Sequence, residues 1–584
     1  MAPSALQLAP AAVDVETRGD DLVLCSPHVP GPPARALGVL LQGWAQRDPT
    51  RVFMAQRQGD GWETLDYGTA WANVRRIGSA LLERGAGPTR PLALLSENSL
   101  AHAQLQLGAM QVGVPVAPVS PAYSLMSSTH SRLKVVLDTL RPTLVYAEHP
   151  ERYADALATV PKSVQVLESL PRLLETEPSD AMEQAFAQLG PDTIAKILFT
   201  SGSTGTPKGV VNTQRMLCTN QEAIATLWPF LASTPPITVD WLPWSHTFGG
   251  NHNMNMVLRN GGTLYIDGGR PAPGLIEHTA ANLRLVSPTV YFNVPRGYDL
   301  LATQMEQDEA LRRSMFARLD LLFYAAAALP PATRARLEAL AAAENREVFF
   351  ASAWGSTETA PLATSAYFPT TTPAVIGLPA PGVEIKLAAT EGRHELRVRG
   401  PNLTPGTWTP GGELVPADLD DEGFLHTGDA GRLADPDDPT QGVAFEGRLG
   451  ENFKLSTGTW VLVGKLRIAL VDACAPRVQD AVIAGHNRDE LSALLFVADP
   501  GEDAARDELR SFIREALQRF NAESPASSTA IARVSLQFTP PSLDAGETTD
   551  KGYINQRRVL ENRAETVEAL YREPFGPDVL VIAD

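Results

Sequence analysis

Between Trp71 and Ala147 the chain changes its hydrophobic period again and again, and that alternation restricts the fold more than any other feature. Trp71, Val74, Ile77 and Leu81 recur at helical spacing, and Gly85 and Pro88 close the helix. "PLALLS" (Pro91 to Ser96) then reads as a buried strand, and a second helix starts at Leu100. "VPVAPV", "SRLKVVLDTL" and "TLVYA" continue as strand, helix and strand. Strands apolar on both faces and separated by helices predict an α/β body of stacked parallel sheets covered by helices.

The character changes between Gly400 and Gly423, where "GPNLTPGTWTPGGELVPADLDDEG" is dominated by proline and glycine and reads as loop. After about Gly450 a smaller α+β unit is expected. "DAVIAG", "ALLFVAD" and "ARVSLQF" read as strands, and Leu509, Phe512, Ile513, Ala516 and Phe520 as one helix face. The expected division is a body over 1–449 and a small mobile lid over 450–584. With 584 residues there is ample chain for two or more cores.

"LFTSGSTGTPKGVV" (Leu198 to Val211) carries the first chemical signal. Gly202 and Gly205 permit turns that a side chain forbids. Ser201, Ser203, Thr204 and Thr206 bring hydroxyls and Lys208 a cation, a set suited to phosphate oxygens. A Walker loop requires G-x-x-x-x-G-K-[ST]; counted from Gly202, Pro207 stands at the second glycine and Gly209 at the Ser/Thr. The stretch therefore reads as a phosphate loop, but not that of a P-loop kinase.

Net charge is −18, which argues against nucleic acid or an anionic membrane as the main partner. Cys25, Cys218 and Cys474 are odd in number and in no metal spacing, as expected of small buried side chains in a reducing compartment. No apolar run approaches the ~18 residues of a membrane span. The N-terminal "MAPSALQLAPAAVDVETRGDD" lacks a basic region followed by an apolar one, so it is no good signal peptide, and a cytoplasmic protein is expected. "DLDDEGFLHTGD" (Asp418 to Asp429) nearly matches a calcium loop. It has Asp429 where a bidentate Glu is needed, and its Pro/Gly-rich flanks cannot form the two helices.

Three more stretches join the phosphate loop: "WGSTET" (Trp354 to Thr359), "HTGD" (His426 to Asp429) and "FEGRLGENFK" (Phe445 to Lys454). Each alone has a plain reading. Glu358 would be a surface carboxylate, Asp429 a turn cap, Arg448 a salt-bridge partner, and Trp354 core. Together, in this order, they resemble the adenylate-forming superfamily, which includes acyl-CoA synthetases, luciferases and peptide-synthetase adenylation domains. The resemblance spans roughly 51–560. "WLPWSHTFGGNHNMN", "YAAAALP", "STGTWV" and "DKGYINQR" are similar to bacterial feruloyl-CoA synthases.

The resemblance implies an enzyme that joins an acid to ATP as an acyl-adenylate, then transfers the acyl group to coenzyme A. It places the β- and γ-phosphates on Thr200 to Gly205 and Lys208, magnesium on Glu358, and the α-phosphate on Thr357. Trp354 would lie beside adenine, and Ala326, Gly355 and Ser356 would complete the nucleotide site. Asp429, supported by Arg448, would accept from the ribose. His246 would lie beside the acyl carboxylate; a backbone-capped loop histidine is the plain alternative. Phe248, Asn251 and His252 would line the pocket for a planar aromatic acid such as ferulate, with a benzoate or a medium-chain fatty acid as alternatives. Gly450 falls at the family's hinge, where Asp or Lys is usual, and Lys454 where a lysine serves thioester formation. The family's C-terminal lysine position holds Tyr553, so Lys551 is the candidate replacement cation; a solvated lysine is the alternative. The implied partners are small molecules, ATP, coenzyme A and the acid, with the chain acting as monomer or homodimer. An ATPase or kinase that makes ADP, and a catalytically silent ATP binder, are the rivals.

Overall fold

The computed structural model describes residues 6–200, 206–272, 274–370, 372–390, 392–549 and 554–582. The chain divides into two compact units. The first comprises Met1–Ala389, Arg397–His426 and Leu433–Ala444; the second comprises Thr390–Leu396, Thr427–Arg432 and Phe445–Asp584.

The first unit contains an eight-stranded sheet. Its middle strands, Leu92–Leu95, Val116–Pro118, Leu144–Ala147 and Ile194–Thr200, run parallel, as the alternating pattern requires. The helices Tyr67–Glu83, Leu100–Gln111 and Ser131–Leu140 fall where the spacing puts them. The helix Tyr67–Glu83 starts at an Asp66 side-chain cap and buries Val74, Ile77 and Leu81, and the chain leaves it through Gly85 at φ +78°. The all-parallel expectation fails at one edge. Lys208–Thr213 pairs antiparallel with Ile194–Thr200, because the short 201–207 connection leaves no room for a crossover helix. The proline- and glycine-rich stretch is also more regular than its composition suggests. Gly406–Trp408 and Leu414–Pro416 form a hairpin that extends the same sheet through Gly209 and Val210.

A parallel run of Val290–Asn293, Leu321–Tyr324 and Phe349–Gly355 continues into the antiparallel strands Leu362–Ala366 and Val375–Pro379. A third sheet orders Ile237–Asp240, Thr263–Ile266, Val52–Gln58 and Gly61–Asp66. The calcium-loop look-alike is a turn held by ion pairs. Asp420 accepts from Lys386 at 2.6 Å and Arg397 at 3.0 Å, and from the backbone N–H groups of Glu422 and Phe424.

The second unit has a four-stranded sheet in the order Val478–Ala484, Leu491–Val497, Ile531–Gln537, Val579–Val581. The helices Val463–Ala473 and Asp503–Glu523 supply Leu466, Leu470, Leu509, Ile513 and Leu517 to its core. Among the described residues no helix is long and apolar enough to cross a membrane.

Candidate active site

Three pieces singled out in the sequence meet in the first unit. The strand Ile194–Thr200 and its partner Lys208–Thr213 place Thr200 opposite Lys208 at the mouth of the phosphate loop. Ser201, Gly202, Ser203, Thr204 and Gly205 lie outside the described residues, as does Lys551. Thr200 is half-buried and Lys208 exposed, positions from which a hydroxyl and an ammonium can meet a solvated polyphosphate.

The second piece is the turn after the strand Phe349–Gly355. Gly355 has φ +159°, and a Cβ there would lie 1.7 Å from the Pro361 carbonyl, so only glycine fits. The main chain beyond it is clamped by amides. The side chains of Asn220 and Asn402 each donate to the carbonyls of both Thr359 and Leu362. Asn212 Nδ2 donates to the Thr357 carbonyl at 3.0 Å, and the Thr404 N–H to the Glu358 carbonyl at 2.8 Å. The clamp fixes the backbone under buried Thr357 and half-buried Glu358 without using the Glu358 carboxylate. Trp354 pairs with Thr364 one residue before Gly355. Ala326, just past the strand Leu321–Tyr324, is held at φ +75°, a left-handed conformation that costs a non-glycine residue about 1 kcal/mol or more.

The third piece is the π-helical segment Phe248–Asn253. Two glycines let it press on the preceding loop: a Cβ at Gly249 would lie 2.3 Å from the Leu242 carbonyl, and one at Gly250 2.4 Å from that of Trp244. The His246 N–H donates to the Pro243 carbonyl, and the His246 carbonyl accepts from Gly250 at 2.8 Å. Asn251 Nδ2 donates to Thr247 Oγ1 at 3.0 Å and to Asn212 Oδ1 at 2.7 Å. One chain of amides therefore runs from Asn251 through Asn212 to Thr357. Beneath it Lys196 is fully buried and donates to the Gly250 carbonyl at 2.8 Å; burial lowers its amine to about 7.

His252 is buried in an aromatic cluster. It stacks on Phe323 at 4.9 Å and meets Phe292, Phe248 and Trp228 edge-on at 5.6, 5.9 and 6.1 Å. Its Nδ1 lies 2.9 Å from Asn253 Oδ1, and Asn253 Nδ2 donates to Asp240 Oδ2 at 3.0 Å. Burial lowers His252 to about 4, leaving the ring neutral at pH 7, and raises the Asp240 carboxyl to about 7.

The remaining candidates belong to the second unit. Asp429, in the strand Leu425–Leu433, is buried and ion-paired with Arg448 at 3.2 Å. The Leu449 N–H donates to the Gly428 carbonyl at 2.8 Å, tying the two short motifs together. Gly450 is open: a Cβ there would meet nothing within 4 Å. Lys454 Nζ lies 4.8 Å from the centre of the Trp460 ring, and the Arg393 guanidinium 4.0 Å from it.

Sequence reasoning missed Asn212, Asn220, Asn402, Thr404, Asp240, Asn253 and Lys196. One signal was present: Lys196 sits inside the apolar run "IAKILF", where a charge needs a reason. No group of three or more His, Cys, Asp or Glu side chains among the described residues is gathered to hold a metal. Magnesium needs no such cage, since one carboxylate together with substrate phosphates and water satisfies it, so Glu358 alone suits that ion.

Comparison with known proteins identifies the family. Residues 41–408 match the family described as AMP-binding enzyme, and 454–574 match the AMP-binding enzyme C-terminal domain. The chain is 25% identical to a carboxylic acid reductase of Mycobacterium tuberculosis over 88% of its own length and 47% of that protein. It spans about half the length of the carboxylic acid reductases it matches. It is 24% identical to a 3-methylmercaptopropionyl-CoA ligase of Ruegeria lacuscaerulensis over 79% of this chain and 87% of that one. The adenylation domain of a Mycobacterium chelonae carboxylate reductase superposes with TM-score 0.70 at 21% identity, covering 93% and 94% of the two chains. A large α/β body and a smaller C-terminal unit are the fold of these enzymes. The chain belongs to the AMP-binding, adenylate-forming enzyme family.

Proposed function

We propose that this protein is an AMP-forming acid–CoA ligase that activates a hydroxycinnamate, ferulate in the first instance. The observation that carries the reading is the amide chain from Asn251 through Asn212 to Thr357. It couples the segment bearing His246, Phe248 and His252 to the turn bearing Thr357 and Glu358, the coupling needed by an enzyme that presents an acid to an α-phosphate. The CoA-ligase relative, matched over most of both chains, supports coenzyme A as acceptor.

In the first half-reaction the acid carboxylate attacks the α-phosphate of ATP and pyrophosphate leaves. In the second the coenzyme A thiol displaces AMP and forms the thioester. No protein nucleophile takes part, so the rate comes from positioning and charge neutralisation. Thr200, the loop 201–205 and Lys208 hold the departing phosphates; Thr357 meets the α-phosphate; Glu358 would hold magnesium, which when bound would supply positive charge beside the phosphates. Trp354, Gly355, Ser356 and Ala326 border the adenine, and Asp429, oriented by Arg448, binds the ribose. His246 lies beside the acid carboxylate. Lys551 supplies the cation of the first half-reaction and Lys454 acts in the second, with Gly450 as pivot.

The test is pyrophosphate release with ferulate, 4-coumarate, caffeate, cinnamate, benzoate and octanoate, with and without coenzyme A. Ferulate should give pyrophosphate and AMP, and the thioester when coenzyme A is present. ADP as product, or preference for octanoate, would overturn the reading. Lys551→Ala should cripple adenylation yet leave conversion of pre-formed feruloyl-adenylate largely intact. The carboxylic acid reductase relatives favour a second reading, an adenylating unit that hands its acyl group elsewhere; adenylate formation without thioester would select it.

A further inference from the structure

The polar chain behind His252 fixes which ring nitrogen carries the proton. Asp240 Oδ1 accepts the Leu242 N–H at 3.0 Å, and Oδ2 accepts Asn253 Nδ2 at 3.0 Å. At pH 8, above its raised value of about 7, Asp240 is a carboxylate with only acceptors, so Asn253 must turn its nitrogen toward Asp240 and its oxygen toward His252. His252 Nδ1, 2.9 Å from that oxygen, must then carry the hydrogen and donate it. The neutral ring is left with a bare Nε2, a pure acceptor. That atom is buried and has no hydrogen-bond partner among the described residues. A buried acceptor left without a donor is costly to a fold, so a ligand that supplies the donor gains by it.

The surroundings say what would satisfy it. Phe292, Phe323 and Trp228 are buried around His252, and Phe248 is the half-buried member of the cluster. Aromatic faces and edges receive a flat ring, and among the described residues the cluster offers two unpartnered polar atoms, the acceptor His252 Nε2 and the donor Trp228 Nε1, a pair that suits a hydroxyl able to donate and accept. We infer that His252 is the specificity-determining residue for the ring of the acid, accepting a hydrogen bond at Nε2 from a free phenolic hydroxyl. This inference rests on the aromatic-acid reading above and deepens it. Ferulate, 4-coumarate and caffeate carry such a donor; cinnamate carries none, and 4-methoxycinnamate presents only an acceptor. A site built to bond a hydroxyl discriminates strongly against an analogue that leaves its polar group unpaired.

The chain also predicts how the preference reverses. In Asp240→Asn the amide oxygen must stay on the Leu242 N–H, so the amide nitrogen takes the place of Oδ2. Asn253 must then present its oxygen to residue 240 and its nitrogen to His252 Nδ1. Nδ1 becomes the acceptor, and the proton moves to Nε2, which now donates. The acceptor-bearing 4-methoxycinnamate should gain relative to 4-coumarate.

The experiment measures kcat/KM for pyrophosphate release at pH 8 with three acids, 4-coumarate, 4-methoxycinnamate and cinnamate, and with octanoate as a control. The enzymes are the wild-type protein, Asp240→Asn and His252→Leu. Histidine-selective 15N spectra of each report the tautomer without reference to turnover. The wild-type enzyme should favour 4-coumarate over both analogues by about tenfold or more. His252→Leu should flatten the series, and a melting curve like that of the wild-type protein shows that it is folded. Asp240→Asn should shift the 4-methoxy to 4-hydroxy ratio upward by about tenfold and move the His252 proton from Nδ1 to Nε2. A wild-type enzyme that turns over all three acids equally, or a His252 protonated at Nε2 in the wild-type protein, would overturn the inference and leave the ligase reading standing. A protein that releases pyrophosphate with none of the three but with octanoate would overturn both.

Discussion

Glu358 is placed by its main chain. The Thr404 N–H, Asn212 and Asn402 hold the turn around it, so removing the carboxylate should leave the scaffold intact. Glu358→Ala should keep its melting temperature within a degree or two and lose ferulate-dependent pyrophosphate exchange by roughly a hundredfold or more, a few kcal/mol of barrier. Lys196 is the opposite case, a charge that burial disfavours. Its folded value of about 7 lies below its ordinary 10.5, so between those limits the unfolded chain binds the extra proton. Stability should therefore rise as pH rises through that window, by up to about 1.4 kcal/mol per unit. Melting temperatures at pH 7.5 and 9.5 should differ for the wild-type protein and converge for Lys196→Met. The motif residues of this site were legible because phosphate and metal chemistry needs hydroxyls, glycines and carboxylates at fixed spacing. Asn212, Asn220 and Asn402 were not, because each acts by reaching a distant carbonyl, 145 and 142 positions away for the first two and 43 for the third, and nothing in "VVNT" or "CTNQ" announces such a partner.

At the scale of elements, the helices and parallel strands between Trp71 and Ala147 were legible because their apolar residues face a local core. The edge hairpin Gly406–Trp408 and Leu414–Pro416 was hidden by its own composition, since a strand on a sheet edge needs few ladder bonds and tolerates neighbouring proline. The π-helical turn Phe248–Asn253 was hidden for another reason: its extra residue per turn shows only in three dimensions. The glycines inside it are now explained by contact. Gly249→Ala would drive a methyl group to 2.3 Å from the Leu242 carbonyl. Backbone cannot yield as a side-chain tip does, so the substitution should destabilise by about 1–3 kcal/mol or more. It should also raise KM for the acid well above any change in KM for ATP, because Phe248, Asn251 and His252 ride on this segment. Chemical denaturation and the two KM values check both statements.

For the whole molecule, the expected cut near residue 450 compares with a second unit that begins at Phe445 and includes Thr390–Leu396 and Thr427–Arg432. Sequence alone could not assign those two short pieces, because they are adopted by a unit whose main body lies later in the chain. Gly450 follows the junction and has open space around its α-carbon. Gly450→Ala should therefore be neutral in stability and in both half-reactions. Gly450→Pro fixes φ and should depress one half-reaction more than the other, as measured separately by pyrophosphate exchange and by conversion of pre-formed adenylate. Equal losses would remove the pivot role.

Trp460 has one further consequence, an optical one. Two cations lie near its ring, Arg393 at 4.0 Å and Lys454 at 4.8 Å. A cation over an indole perturbs the emission of that ring, and such a contact at a partly exposed site is worth only about 0.5–1 kcal/mol. Lys454 is therefore parked on a weak tether that a substrate phosphate or carboxylate can outbid. If it leaves the indole during thioester formation, Trp460 becomes a native fluorophore that reports the event. The difference in emission between the wild-type protein and Trp460→Phe should change on adding a non-hydrolysable adenylate and coenzyme A, and Lys454→Ala should abolish that change.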